Sequence, residues 1–279
     1  MDAAIPATGS SGEPRILEWI LRVGAFLCFV GHGAFGILTK QAWLPYFAVG
    51  GIGPRTAYEL MPIVGAVDIA MGCIMLIRPL PIAACWMTVW AIWTAMLRPL
   101  SGEPLWEMVE RAGNYGIPAV FVLLMLRPRT PRDLLRTLRL RPLTPEILTA
   151  ARRLLTAVVT LLLLGHGALG ALGKPGLAAN YASVLPGTAA TLLTPYIGWV
   201  EIAMGAAVAF WQDPLALVAI AGWKIATEAL FITAGAPIWE LVERGGSYAA
   251  PLALALVVVM IERGRGETAP PPRTPLLSS

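Results

Sequence analysis

Residues 104–115 (PLWEMVERAGNY) recur 133 positions later as residues 237–248 (PIWELVERGGSY). A chain that carries one segment twice at such a separation is a tandem repeat of a unit of that length. Other pairs fall on nearly the same offset. Gly31-His32-Gly33-Ala34 matches Gly165-His166-Gly167-Ala168, Lys40 matches Lys174, and Asp68-Ile69-Ala70-Met71-Gly72 matches Glu201-Ile202-Ala203-Met204-Gly205. The offset is 134 for the first two and 133 for the rest, so one residue was lost between Ala182 and Gly198.

Each unit is apolar. The chain is 57% hydrophobic and 14% charged, with mean hydropathy +0.68, against a charged share of about 25% in ordinary soluble domains. The expected fold is all-α: a polytopic membrane protein with eight transmembrane helices, as two four-helix repeats of parallel topology. A span needs about 20 apolar residues at 1.5 Å rise each to cross roughly 30 Å of hydrocarbon. The runs fall at 17–38, 60–77, 82–97 and 115–126, then 154–172, 193–210, 215–231 and 248–261. An even number of spans per unit gives both units the same orientation, related by an axis along the membrane normal.

Residues 1–16 read as a flexible cytoplasmic leader, 17–126 as the first four-helix repeat, and 127–149 as an Arg-rich cytoplasmic linker. Residues 150–262 read as the second repeat and 263–279 as a disordered cytoplasmic tail. Arginines cluster at 127, 129, 132, 136, 139, 141, 152 and 153, and return at 263 and 265. That bias places both termini on the cytoplasmic side. The basic charge has anionic lipid as its partner and requires no nucleic acid. Cys28, Cys73 and Cys85 lie inside apolar runs without ligand spacing, which suits small hydrophobes and no metal set.

On this topology His32, Lys40, the Trp-Glu-x-Val-Glu-Arg segment and their second-half partners gather at the non-cytoplasmic face. His32 and His166 are the two histidines of the chain, each between glycines. They can serve as packing groups that donate to a carbonyl or carboxylate, as contacts to a quinone or substrate, or, as a minority reading, as two axial haem ligands. Asp68 and Glu201 are the deepest matched carboxylates, costly at that depth unless paired or protonated. Either they orient the two halves or they carry a proton or substrate. Lys224 and Glu228, spaced i,i+4 on one helix face, replace Ala91 and Ala95. A single functional centre is therefore expected to be asymmetric and biased toward the second half.

Lys40, Lys174, Glu107, Glu110, Arg111, Glu240, Glu243 and Arg244 form a candidate pocket rim. Glu107 is expected to pair with Arg111 at i,i+4, and Trp106 and Trp239 to anchor the segment at the interface. Each segment is expected to cap its own unit, near His32 or His166 and away from Asp68 or Glu201. Trp86, Trp90 and Trp93 follow helical spacing and read as packing or lipid contact. The chain has no nucleotide-binding glycine loop, zinc-protease or nucleophile-elbow motif.

The half-repeat resembles the DoxX-like family of four-span bacterial membrane proteins. The resemblance rests on Arg22-Val23-Gly24-Ala25 through Gly31-His32-Gly33 to Lys40, on Gly65 through Asp68 to Gly72, and on the helix after Asn114-Tyr115. Arg153, His166, Lys174, Gly198, Glu201 and Gly205 repeat the plan. Glu201 fits the family's second-span glutamate and Asp68 departs from it. The resemblance implies a four-helix bundle per copy in a bacterial inner membrane and, for some members, quinone-linked oxidation of reduced sulfur compounds. A redox-associated protein that binds a quinone or small reduced substrate near the non-cytoplasmic face, beside a redox partner protein, is the leading expectation. A transporter or channel for a small solute or protons, and a structural subunit of a membrane complex, are the alternatives.

Overall fold

The computed structural model describes residues 12–125, 130–137, 140 and 142–268. Twelve α-helices form the described part: α1 (Glu13–Ile37), α2 (Leu44–Val49), α3 (Pro54–Ile77), α4 (Pro81–Leu100), α5 (Trp106–Val109), α6 (Ala112–Met125), α7 (Pro145–Ala171), α8 (Pro175–Ala182), α9 (Gly187–Phe210), α10 (Pro214–Thr233), α11 (Trp239–Val242) and α12 (Gly245–Thr268). No strand occurs among the described residues. The protein is all-helical, and six of its segments are long and apolar enough to cross a membrane: α1, α3, α7, α9, α10 and the α11–α12 segment. Helix α4 has 20 residues and α6 has 14.

Helix starts are set by capping chemistry rather than by the apolar runs. Pro14, Pro54, Pro81, Pro145 and Pro214 occupy first-turn positions, where a missing N–H costs nothing and the fixed φ is already helical. So α1 begins at Glu13 rather than 17, α3 at Pro54 rather than 60, and α7 at Pro145 rather than 154. Thr144 caps α7 by accepting from the Ile147 amide. Helix α12 continues past the boundary expected at 263. The leader up to residue 11, linker positions 126–129, 138–139 and 141, and the tail from 269 lie outside the described residues.

Helices α1, α6, α7 and α12 make the centre, sharing a core that includes Leu21, Phe121, Leu155 and Leu254. Buried residues are 56–61% of the apolar windows of α1, α7 and the α11–α12 segment, but 28% of those of α3, α9 and α10. The outer helices therefore present the apolar surface, including Ile77, Val89, Trp199, Phe210 and Leu215. An exposed belt of this kind suits hydrocarbon and not water.

Where lipid is as apolar as the side chains, close backbone contact is what holds helices together. Helix α1 meets α3 through Gly33, Gly36 and Gly65. A Cβ on Gly36 would lie 2.7 Å from the Met61 carbonyl oxygen. Helix α7 meets α9 in the same way, with a Cβ on Gly167 2.6 Å from the Gly198 carbonyl oxygen. The halves meet at Gly113 of α6 and Gly246 of α12, where either Cβ would strike the other's backbone. Helix α1 also packs on α12, and α7 on α6, so helices from the two copies of the repeated sequence pack on one another.

Candidate functional site

The carboxylates and histidines meet in pairs, one pair per half. His32 on α1 places Nδ1 2.8 Å from Asp68 Oδ2 on α3. His166 on α7 pairs through Nδ1 with Glu201 Oε2 on α9. This corrects the expected separation of the histidines from the deep acids. Gly36 against Met61 and Gly65 sets the register of α1 on α3, and Gly167 and Gly170 against Gly198 set that of α7 on α9, so each histidine lies level with its acid.

In the second half the site is filled by the protein's own charges. Glu201 Oε1 accepts from Trp223 Nε1 at 2.9 Å and lies 3.6 Å from Lys224 Nζ. Lys224, with no exposed surface, sits 2.9 Å from Glu228 Oε1, which is 3.8 Å from His166 Nε2. Glu228 Oε2 takes Arg244 Nε at 2.7 Å. Arg244 also reaches Glu240 Oε2 at 2.8 Å and Glu243 Oε1 at 3.1 Å, and its guanidinium lies 4.1 Å from the Phe231 ring centre. Only about 20 Å³ of cavity remains beside His166 and Glu228. Each ion has a counter-ion, the condition under which buried charge is tolerated.

The first half is open. Ala91 and Ala95 stand where the second half has Lys224 and Glu228, and a cavity of about 350 Å³ takes their place. His32, Trp90 and Ala91 line it, with Trp43, Tyr46, Lys40, Arg98 and Arg111 nearer the loops. His32 stacks on Trp43 with ring centres 4.5 Å apart. Arg98 bonds Glu103 at 2.9 Å and Glu107 at 3.2 Å, while Tyr46 donates to Glu103. An apolar cleft with a few convergent polar groups is the usual form of a small-molecule site.

The two repeated segments cap each other's half. Lys40 Nζ reaches Glu240 Oε1 at 2.7 Å, and Lys174 Nζ reaches Glu107 Oε1 at 2.6 Å. Helix α11 packs on α1 and α5 on α7. Gly31 makes room for the backbone of Glu243, and Gly165 for that of Glu110. The expectation that each segment caps its own unit is corrected: the central packing of α1 on α12 and α6 on α7 carries the segments across. The rim and the deep centre are also joined, because Arg244 contacts Glu228 directly.

Within the segments, Arg111 bonds Glu107 Oε2 at 3.3 Å, the expected i,i+4 pair, and Glu110 Oε1 at 2.5 Å. The Glu103 carboxyl is lowered, with burial opposed by the Tyr46 hydrogen bond and the Arg98 charge. Burial raises the Tyr46 hydroxyl well above its usual value.

Trp43, Tyr46, Trp90, Arg98, Glu103 and Trp223 belong to these sites and were not legible as site residues. Tyr46, Arg98 and Glu103 correspond to Asn180, Phe231 and Ala236, so a search for matched positions passes them over. Trp90 and Trp223 do match at the 133 offset, and that was the available signal. Trp86 is exposed, as packing or lipid contact requires, whereas Trp90 and the half-exposed Trp93 both line the cavity.

The histidines do not fit a shared haem. They line different cavities, each Nδ1 is taken by a carboxylate, and His166 Nε2 faces Glu228. No family model, curated protein or solved structure matches the chain.

Proposed function

We propose that this is a DoxX-like bacterial inner-membrane protein that binds a quinone or small reduced substrate in the first-half cavity. In this reading α4 and the α5–α6 segment supply two further passes, giving eight in two parallel four-helix units. Arg263 pairs with Glu13, Arg152 with Gln212, and Arg78 with Thr137. These contacts place Arg78, Arg152 and Arg263 at the end opposite the cavity. The positive-inside bias makes that end cytoplasmic, with both termini, and the cavity faces the other side.

The observation that carries the reading is the 350 Å³ cavity with His32 on its wall, Asp68 buried behind that histidine, and aromatic rings around it. A flat ring fits between Trp43 and Trp90, and an isoprenoid tail can leave between outer helices toward lipid. Asp68 fixes the His32 ring through Nδ1, leaving Nε2 to exchange a proton with the ligand. Asp68 stabilises the imidazolium formed when His32 accepts one. Electrons pass between the bound ring and the reduced substrate or a redox partner protein. Asp68 and His32 therefore take the proton role, while Glu201, Lys224 and Glu228 act as a charged strut.

The test is titration of the purified chain in mild detergent with a decyl-substituted benzoquinone, followed by tryptophan fluorescence. Saturable quenching that His32→Ala and Trp43→Leu weaken supports the reading. Native protein that shows no saturable binding, or that moves protons across proteoliposomes without quinone, overturns it in favour of the transporter alternative.

A further inference from the structure

The two halves differ at one buried hydrogen bond. In the second half Glu201 Oε1 accepts from Trp223 Nε1 at 2.9 Å. The corresponding atoms of the first half, Asp68 Oδ1 and Trp90 Nε1, are both buried and have no hydrogen-bond partner among the described residues. The cause is a single methylene: aspartate is shorter than glutamate, and Oδ2 is already held by His32 at 2.8 Å. Asp68 has no exposed surface, and both His32 and Trp90 line the cavity.

A buried carboxylate oxygen and a buried indole N–H left without partners are costly, and native structures supply partners for such atoms. The group that satisfies both must donate to Asp68 Oδ1 and accept from Trp90 Nε1. A carbonyl can only accept and an ammonium can only donate, whereas a hydroxyl does both. We infer that the inner end of the cavity is a hydroxyl-recognition site, with Asp68 and Trp90 as its specificity-determining residues. This rests on the first-half cavity being the ligand site, and it narrows the ligand to a ring-borne hydroxyl. The reduced, quinol form is then bound in preference to the quinone.

The second half shows the same place closed. Glu201 spans the gap that Asp68 leaves, and Lys224 fills the space that its counterpart Ala91 leaves open in the first half. The chain therefore carries one hydroxyl site rather than two, and a binding stoichiometry of one per chain follows.

The experiment compares four probes on the full-length chain in detergent micelles: a decyl hydroquinone, its quinone, its di-O-methyl ether, and a decylphenol without redox chemistry. Binding is read by calorimetry and by the indole N–H resonance of Trp90. The hydroquinone and the phenol are expected to bind about 10- to 100-fold more tightly than the ether, the range for a hydrogen bond to a charged partner, and to shift the Trp90 signal. Asp68→Glu is expected to make the Trp90 contact internally and to abolish this preference without lowering the unfolding midpoint. Trp90→Phe, at a partly exposed position, removes the donor and serves if Asp68→Glu does not fold.

Ether and phenol binding equally, or an Asp68→Glu chain that keeps the preference, overturns the inference. So does an unmoved Trp90 resonance at saturation, which means that water alone occupies the gap. Phenol binding without hydroquinone or quinone binding keeps the hydroxyl site and removes the quinone reading. Quinone binding that ignores the hydroxyl does the reverse.

Discussion

Lys224 offers the sharpest test of the second-half network. Its ammonium is wholly buried, 2.9 Å from Glu228 and 3.6 Å from Glu201. With an effective dielectric of about 20 these separations correspond to attractions of about 6 and about 5 kcal/mol. Desolvation of several kcal/mol per buried ion opposes them, so the intact network lies near balance. Removing one member destroys that balance. Lys224→Ala leaves Glu201 and Glu228 facing each other across His166, and Glu228→Ala leaves Lys224 and Arg244 short of a counter-ion; each should cost about 3–5 kcal/mol. The double variant removes one charge of each sign and reproduces the Ala91/Ala95 arrangement of the first half. Glu201 then keeps His166 and Trp223, and Arg244 keeps Glu240 and Glu243. Its cost should fall short of the sum of the single costs by about 2–3 kcal/mol, as contacting residues in one network do. Reversible unfolding of the four proteins by SDS titration in mixed micelles measures the cycle. Single substitutions that cost less than about 1 kcal/mol, or a double that equals the sum, would show that these charges do not act as a compensated unit.

Three further outcomes follow from the exchanged caps and the glycine contacts. Gly31→Ala drives a Cβ into the backbone of Glu243 and should lower the thermal midpoint. Gly222→Ala meets nothing within 4 Å inside helix α10 and should raise stability by about 0.5–1 kcal/mol; equal effects from the two would refute the close approach. Lys40→Glu should weaken the α1–α11 contact by about 1 kcal/mol or less, given its partial exposure, and adding Glu240→Gln, which removes the like-charge clash while Arg244 keeps Glu228 and Glu243, should recover part of it. A cap on its own half would show no such rescue. Glu103 is held below its ordinary value of 4.5. Its contribution is therefore fully present above that pH and lost as pH falls through the lowered value. Unfolding midpoints should stay level from about pH 6 to 8 and drop below about pH 4.5, with a smaller drop in Glu103→Gln.

The helical class and the order of elements were legible because apolar runs and a repeated segment are local features. Helix ends were not, since Pro54 and Gly187 start helices α3 and α9 in stretches whose hydropathy resembles a loop. What decides whether Asp68 reaches His32 is the register of α1 on α3, which the Gly36–Gly65 contact sets. The exchange of caps was hidden for a different reason. Gly31 and Gly165 signal a close approach, but not whether the approaching backbone belongs to the same half or the other one. Only the packing of α1 on α12 and α7 on α6 settles that.

Matched positions set the frame of both halves, and mismatched ones set them apart. Lys40 and Lys174, and Arg111 and Arg244, occur in both halves and pair with the repeated segments in parallel, and His32 and His166 each hold a carboxylate. Lys224 and Glu228 were read as pointing to a centre in the second half; they stand where the first half has its cavity, with about 20 Å³ beside them against about 350 Å³. Buried charge at these positions fills space that alanine leaves open, while the helix contacts are kept. A pocket kept open instead needs small residues at the same positions, Ala91 and Ala95, and an acid too short to reach its own tryptophan. Both conditions hold in the first half, and each can be reversed by substitution, so the asymmetry is open to construction in either direction. Ala91→Lys with Ala95→Glu should close the first cavity and remove ligand binding, whereas Lys224→Ala with Glu228→Ala should open the second without creating the hydroxyl preference, because Glu201 still holds Trp223.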